Sequence, residues 1–227
     1  ILLFTDDDVI VADDWIEQMV AALDAGCDAV TGRISLAAHL ERPWLTSMHR
    51  WWLASSADAQ AREGSRELIG ANMGFRRAVL ERVPAFETEL GPGALGLGED
   101  SLFGWQLVEA GFVIKFAPQA VVTHQLDASR LRRRCWHGEA RKHGQTEAYL
   151  LHHWEHGQIP SPRLTWLKAW MKLTVRRVLQ PQPSLDAEGC ALWELNHLQT
   201  MAMCRRFCYE AKRPRNYSKR GLIKRAA

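Results

Sequence analysis

The chain has 227 residues, of which 47% are hydrophobic and 24% are charged. This length and composition exclude a collagen-like chain, an intrinsically disordered chain and a small disulfide-stapled domain, and they allow one substantial core with a helical appendage. The net charge of +3 conceals an asymmetry, because residues 1–124 carry 18 acidic and 9 basic side chains whereas residues 125–227 carry 8 acidic and 20 basic ones. We expect two roles for the two halves, one of them toward an anionic surface.

Secretion and membrane-insertion signals are not evident in the sequence. The opening apolar run is too short for a signal peptide, and no stretch approaches the ~18 uninterrupted apolar residues of a membrane-spanning helix. The five cysteines form no CxxC motif, which predicts free, mostly buried thiols in a reducing, cytoplasmic compartment. Because Ile1 begins within a predicted buried strand, we expect that a preceding part of the protein is missing.

The first half of the chain predicts alternating strands and helices, which is typical of an α/β layer. The predicted elements, in chain order, are a buried strand at 1–5, a helix capped by Asp13 or Asp14 and closed by Gly26, a strand at 29–34, a helix from Pro43 that fades near Arg62, an extended stretch at 68–75, a short helix at 77–83, a glycine-rich loop at 87–98, a helix from Glu99 that Gly111 closes, and extended stretches at 112–116 and 120–123 on either side of Pro118.

The second half predicts one helix after another, rich in Arg, Lys and Trp. The predicted helices are 128–143, 145–156, 163–180 and 185–212, with the first two separated by Gly144. The domain organisation is therefore predicted as an α/β part at residues 1–125, a basic helical extension at 126–212 and a disordered basic tail at 213–227.

Three consecutive acids, Asp6, Asp7 and Asp8, directly follow the first predicted strand. Ligands of open α/β sheets bind outside the carboxyl ends of the strands. In extended chain Asp6 and Asp8 point the same way, so they can share a hard divalent cation, which proteins often hold with one or two carboxylates plus substrate phosphates. A solvated acidic turn with a helix cap is the alternative.

A second acidic pair, Glu99 and Asp100, stands at a helix start directly after the glycine-rich loop. These side chains can complement the helix dipole, or one of them can be a carboxylate base that the loop places near a substrate. The aspartate cluster about a hundred residues earlier favours the second interpretation.

These segments resemble, in the correct order, the inverting family 2 glycosyltransferases of the GT-A fold, over about residues 1–145. FTDDDV is similar to the family's strand and DxD element, and GANMGFRRAVLERVPAFETEL resembles the segment that precedes a Gly-Gly-Phe-Asp turn, with Pro84-Ala85-Phe86-Glu87 in the place of that turn. GLGEDSLFGWQLVEAGFVIKFAPQAVVTH resembles the ED block and the strand ending in His. The resemblance implies a mixed sheet flanked by helices that lacks its first strands, plus the α-helical C-terminal extension.

The resemblance also implies roles for individual residues. Asp100 would be the general base, and Glu99, Asn72 and Met73 would position the acceptor. The remaining site residues lie on the donor side: Asp6, Asp7 and Asp8 would bind the nucleotide-sugar, and Asp6, Asp8 and His124 would hold the metal ion.

The implied activity is sugar transfer from a nucleotide-sugar to a hydroxyl, with inversion and dependence on Mn²⁺ or Mg²⁺. The expected enzyme is a hexosyltransferase of cell-envelope polysaccharide biosynthesis, with a glycan or lipid-linked acceptor. We expect a cytoplasmic protein that can lie peripherally on the inner face of the membrane. Because the first strands are absent, the activity of this chain alone is an open question at this point.

Two other readings of the sequence remain. His152, Glu155 and His156 match the inverted zinc-peptidase motif H-x-x-E-H. The basic helical half could instead be a non-catalytic module that binds a membrane or nucleic acid, with nucleic acid the less expected partner. LTWLKAWMKLTVRRVL within this half resembles an interfacial amphipathic helix, although packing on the catalytic domain would explain its apolar residues as well.

Overall fold

The computed structural model describes residues 1–56 and 67–225. The chain divides into two units, of which unit 1 comprises Ile1–Glu87 and Glu99–Asp127, and unit 2 comprises Thr88–Gly98 and the chain from Ala128 onward. The end of the helix predicted to fade near Arg62 falls outside the described residues.

Unit 1 is built on a mixed five-stranded sheet with the strand order β1-β4-β3-β5-β2. Only β3 and β5 are parallel, and the other neighbouring pairs are antiparallel. Its strands and helices, in chain order, are β1 (Leu2–Thr5), β2 (Val9–Val11), α1 (Trp15–Asp24), β3 (Ala29–Leu36), α2 (Ser47–Trp52), β4 (Asn72–Phe75), α3 (Glu99–Glu109) and β5 (Ile114–His124). This arrangement confirms the α/β class, and β2 is the strand that the sequence did not predict.

Helix α1 covers one face of the sheet because its apolar residues recur at helical spacing. Trp15, Met19 and Leu23 are buried and pack with Val30, Ile34 and other apolar residues of the strands. Asp14 occupies the predicted N-cap position, but its side chain accepts a hydrogen bond from Gln18 Nε2 instead of a backbone N–H. Gly26 follows the helix with φ of +90°, a conformation that glycine adopts without strain.

The two extended stretches around Pro118 are one strand, β5. Its pairing with β3 shifts register between Gly32 and Arg33, where the partners jump from Ala117 to Val121. Pro118 falls in the unpaired part of this bulge, where its missing N–H costs no ladder hydrogen bond. The prediction of a break at Pro118 was therefore wrong, because a bulge accommodates proline without ending the strand.

Unit 2 contains three long helices, which are α4 (Arg133–His153), α5 (Pro162–Leu179) and α6 (Leu192–Glu210). The predicted interruption of α4 at Gly144 was wrong. Gly144 lies within the helix, and a Cβ atom built on it would lie 2.2 Å from the Gln199 carbonyl oxygen of α6. Gly144 thus permits close approach of two helices rather than ending one of them.

The basic tail differs from the expectation of disorder over residues 213–225. Tyr217 is buried, and the Trp154 indole donates to the carbonyl oxygen of Gly221. The backbone N–H of Arg220 donates to the carbonyl oxygen of Trp154. These contacts attach the tail to the end of α4, so its charge did not keep it from packing.

The glycine-rich loop is tightly turned. Its four glycines, Gly91, Gly93, Gly96 and Gly98, all have positive φ. The hydroxyl of Thr146 on α4 donates to the carbonyl oxygen of Leu97, and Glu89 accepts hydrogen bonds from Asn216 and Lys224 of the tail. Helix α4 and the tail therefore hold this segment in place within unit 2.

Helices of the described chain are all too short or too polar to cross a membrane. The five cysteines are all free, and Cys27, Cys190 and Cys204 are buried, as the sequence predicted.

Candidate active site

The predicted acidic residues of unit 1 come together where several of its strands end. Asp6, Asp7 and Asp8 form the connection between β1 and β2, which lie at opposite edges of the sheet. Val9 of β2 pairs with His124, the last residue of β5, and the N–H of Gln125 donates to the Asp8 carbonyl oxygen. The fold of the strands thereby places His124 beside the aspartates.

Asp6, Asp8 and His124 form a cluster with the character of a cation site. One side-chain ligand atom from each residue lies within 4.8 Å of the other two. His124 is buried, with Nε2 3.0 Å from Asp8 Oδ1 and Nδ1 3.1 Å from the carbonyl oxygen of Leu53. Contacts at both ring nitrogens fix the orientation of the imidazole toward the carboxylates.

The electrostatics of the cluster favour a positive ion. Asp6 is exposed as a residue, but partial burial raises the pKa of its carboxylate, and the negative charge of Asp8 raises it further, while His124 acts in the opposite direction. Asp7 is exposed and is not part of the cluster. A divalent cation between Asp6 and Asp8 would remove their mutual repulsion.

Asp100 lies in the first turn of α3 and is the other carboxylate that the sequence places at the site. Its Oδ2 accepts the backbone N–H of Gly70 at 2.9 Å, and its Oδ1 accepts the backbone N–H of Ser101 at 2.7 Å. Burial raises the pKa of Asp100, and these backbone hydrogen bonds oppose that rise. The hydroxyl of Thr5, the residue before Asp6, donates to the carbonyl oxygen of Ala71, which follows Gly70 in the chain, so Asp6 and Asp100 both adjoin this short segment. The negative charge of Asp100 also raises the pKa of Asp6.

Aromatic packing fixes the helix that carries Asp100. Phe103, one turn further along α3, packs on Phe86 with a ring-centroid distance of 4.4 Å and on Phe75 of β4 with a distance of 5.1 Å. Phe4 of β1 completes this cluster by stacking on Phe75. The start of α3 is thus anchored to the two strands that border the site.

Glu99 is an unusual neighbour for Asp100. Its Oε2 atom is buried without a hydrogen-bond partner among the described residues. Burial raises the pKa of Glu99, and the charges of Asp100 and Asp6 raise it further. A buried acceptor without a partner is one that a substrate hydroxyl could satisfy.

Asn72 and Met73 begin β4, directly after the Gly70–Ala71 segment that adjoins Asp100, and their side chains are buried in the fold. Asn72 is fully buried, accepts from the Trp15 indole and donates to the carbonyl oxygens of Arg33 and Ala120. Met73 is also buried. Asn72 joins α1, β3 and β5 at the bulge, so its polar side chain is a structural link whose hydrogen bonds are already used.

The zinc-peptidase interpretation was wrong. Helix α4 ends at His153, and His156 has φ of +58°, so His152 and His156 do not share one helical face. Their Nε2 atoms contact the carbonyl oxygens of Arg213 and Tyr217 in the tail, and Glu155 pairs with Arg220. The sequence match arose from residues that bind the tail.

Unit 2 contains a second group of possible metal ligands, His137, Cys190 and Glu194. Glu194 is fully buried and is paired with Arg133, Arg177 and His137, which hold its pKa well below the usual range. Two guanidinium groups already supply the positive charge that a cation would bring, so this group is a buried ion-pair network.

Sequence reasoning missed the backbone groups that orient the site, the Gly70 N–H and the Leu53 carbonyl. Peptide groups carry no residue-specific signal, so only the fold reveals them.

A family model described as glycosyltransferase-like family 2 matches residues 1–144, more than half of the chain. No curated protein matches. Among solved structures, the mannosyltransferase PcManGT from Pyrobaculum calidifontis in complex with GDP-Man and Mn²⁺ aligns with 92% of this chain at 16% identity and a TM-score of 0.42. The chain spans 60% of the length of that structure. The family match confirms the resemblance seen in the sequence, and the chain belongs to the glycosyltransferase-like family 2.

Proposed function

We propose that the protein transfers a hexosyl group from a nucleotide-sugar to an acceptor hydroxyl, with inversion at the anomeric carbon. One observation carries this proposal. In unit 1 a cluster suited to a divalent cation, Asp6, Asp8 and His124, adjoins the Gly70–Ala71 segment, which also binds Asp100, a carboxylate held by two backbone N–H groups.

Asp100 is proposed as the general base. The acceptor oxygen would form a bond to the anomeric carbon while the bond from that carbon to the diphosphate oxygen breaks. The hydroxyl proton would pass to Asp100, and the electron pair would leave with the diphosphate. The raised pKa of Asp100 makes it a stronger base than an exposed aspartate, and a positioned base contributes typically ~10²–10⁴-fold to the rate.

The cation-binding role is proposed for Asp6, Asp8 and His124. Two carboxylates and one imidazole are ligand types that accept Mn²⁺, and carboxylates also accept Mg²⁺. When bound, the ion would neutralise charge on the leaving diphosphate. Asp7 is exposed in the same connection and is proposed to contact the donor.

The acceptor is proposed to be a glycan or a lipid-linked molecule. Glu99 supports an acceptor site beside Asp100, because a hydroxyl donating to its buried Oε2 atom would satisfy that atom. The free cysteines support a reducing, cytoplasmic compartment for the reaction.

The test is turnover of UDP- and GDP-linked hexoses by the full-length protein, followed as release of nucleoside diphosphate with Mn²⁺ or Mg²⁺ present. We expect Asp100→Asn to lower the rate roughly 10²–10⁴-fold while donor affinity, measured by calorimetry, stays within about twofold. EDTA should abolish turnover, and Mn²⁺ or Mg²⁺ should restore it.

Asp13→Asn is the matched control, because Asp13 is an exposed aspartate of unit 1 outside the site. It should leave both the rate and the affinity unchanged. Wild-type turnover by Asp100→Asn would eliminate Asp100 as the base, and failure of the full-length wild-type protein to bind any of the donors with Mn²⁺ would contradict the proposed activity.

A further inference from the structure

Helix α5 of unit 2 has two apolar faces. On one face Ala169 and Leu173 are buried, and this face packs toward α6. The opposite face carries a second apolar row at helical spacing. We call this row the α5 stripe; it consists of Leu164, Leu167, Met171, Val175 and Val178.

The α5 stripe is exposed to solvent along the length of the helix. Its five side chains are between 41% and 74% exposed, and no part of the chain that the structure describes covers them. At 100° per residue they fall within an arc of roughly 80°, opposite Ala169 and Leu173. A soluble helix ordinarily presents polar residues on such a face, so this face is suited to a partner.

Positive charge borders the α5 stripe. Lys168 and Lys172 follow one side of it at helical spacing, and Arg163 lies on the other side. Pro162–Leu179 contains no acidic residue, and its two other cations contact α6, where Arg176 lies over the Trp193 ring and Arg177 pairs with Glu194. An apolar row between cations is the pattern of a helix that lies in the interface of an anionic bilayer.

We propose that the α5 stripe docks on an anionic lipid surface. The helix would lie in the plane of the membrane, with the stripe at the boundary of headgroups and acyl chains and the flanking cations against the lipid phosphates. Trp170, which is exposed and stacks on Trp166, would sit at the headgroup level beside the stripe.

The charges that flank the α5 stripe favour an anionic lipid surface over a second copy of the chain or a nucleic acid. A second copy of the chain packed through the same face would bring the flanking cations Arg163, Lys168 and Lys172 close to the same cations of its partner. A nucleic acid would match the charge, but its phosphate backbone offers no apolar surface to five exposed aliphatic side chains. Anionic lipid satisfies both the charge and the apolar row.

The test is co-sedimentation of the full chain with vesicles of phosphatidylcholine alone or with phosphatidylglycerol at one third of the lipid. The test variant combines Val175→Glu and Val178→Glu, at positions that are 58% and 74% exposed. The control combines Ile16→Glu and Ile223→Glu, at positions outside α5 that are 61% and 64% exposed. Both variants change the net charge by the same amount, and circular dichroism checks that both fold.

We expect the wild-type chain and the control to bind the anionic vesicles with similar affinity, and the stripe variant to bind at least tenfold more weakly. Binding to phosphatidylcholine alone should be at least tenfold weaker than to the mixed vesicles. Equal loss in both variants would show a net-charge effect and overturn the proposal. It would also be overturned by a wild-type chain that binds no vesicle, or by a wild-type dimer in solution that the stripe variant converts to a monomer.

Discussion

The site of unit 1 keeps two adjacent carboxylates, Glu99 and Asp100, in a partly buried position at the cost of stability. Burial raises the pKa of both groups, which means that the folded chain disfavours their charged forms. Asp100 recovers part of this cost through two backbone hydrogen bonds, whereas Glu99 Oε2 has none among the described residues. A buried carboxylate oxygen without a hydrogen-bond partner is what we expect of a group that binds an acceptor hydroxyl.

We predict that Glu99→Gln stabilises the chain in a pH-dependent manner. The pKa of Glu99 is higher in the folded than in the unfolded chain, so its contribution to stability is present at low pH and is lost as pH rises through the folded value. Removing the charge should therefore raise the free energy of unfolding by about 1 kcal/mol at pH 7.5. The gain should shrink toward zero at pH 4, as measured by urea denaturation.

Glu81→Gln serves as the control for this prediction, because Glu81 is an exposed glutamate of unit 1. It should change the stability little at either pH. A gain for Glu99→Gln that is as large at pH 4 as at pH 7.5 would mean that ionisation of Glu99 is not the cause.

At the residue scale, sequence reasoning identified acidic and histidine side chains that the structure brings together, but it did not predict the buried hydrogen bonds of Asn72. Asp6, Asp8 and His124 come from distant segments and do form a cluster, because acids after a strand and a histidine at a strand end carry a readable signal. The role of Asn72 is expected only from the resemblance to the family, and the structure shows its amide hydrogen-bonded at the bulge. Sequence alone cannot tell a buried, satisfied amide from one that faces a substrate.

At the scale of helices and strands, the spacing of apolar residues predicted the order and type of most elements, but it did not predict which elements are continuous. Pro118 and Gly144 both predict an interruption, but Pro118 lies inside the continuous strand β5 and Gly144 inside the continuous helix α4. Pro118 is accommodated by a bulge and Gly144 by the close approach of a second helix, and both reasons are contacts with residues remote in sequence. Local propensity therefore predicted most elements of unit 1, but not the short strand β2 or these two tertiary exceptions.

Two glycines of α4 make this argument testable. A Cβ atom at Gly144 would meet the Gln199 carbonyl oxygen and the Met203 backbone nitrogen of α6, whereas a Cβ atom at Gly138 would meet nothing within 4 Å. We predict that Gly144→Ala lowers the free energy of unfolding by about 1–3 kcal/mol, because the helices must separate. Gly138→Ala, the matched control, should raise it by about 0.5–1 kcal/mol through helix propensity.

Thermal or urea denaturation of the two variants measures this difference. Equal stabilisation by both alanines would show that α4 and α6 are not in close contact at Gly144, and the glycine would then be an ordinary helix residue.

At the scale of the whole molecule, the acidic and basic halves are not separated by one boundary. The segment Thr88–Gly98 belongs to unit 2 although the chain on both sides of it belongs to unit 1. Its end is joined directly to Glu99 and Asp100, so the basic half of the chain holds the loop that leads into the proposed base. The positive charge of that half therefore has an internal role besides the proposed lipid contact.

Glu89 is the electrostatic anchor of this loop. Its carboxylate is paired with Arg213 at 2.7 Å and with Lys224 at 3.0 Å, and the Asn216 amide donates to it at 2.7 Å. These partners overcome the effect of burial and lower the pKa of Glu89 to about 2. The stabilisation is therefore complete at neutral pH and is lost only as pH falls from the ordinary glutamate value toward 2.

We predict that Glu89→Gln loosens the loop at neutral pH without unfolding the chain. Leu90 and Leu95 are buried in the loop, so thermolysin, which cleaves before leucine, should cut the wild-type segment slowly. The variant should be cut roughly tenfold faster at pH 7, since hydrogen bonds to a charged group contribute about 1.5–3 kcal/mol. Glu155→Gln, which removes a more exposed pair with Arg220 in the same unit, should leave the rate unchanged. Equal cleavage of all three proteins would show that backbone contacts such as that of Leu97 with Thr146 hold the loop without Glu89.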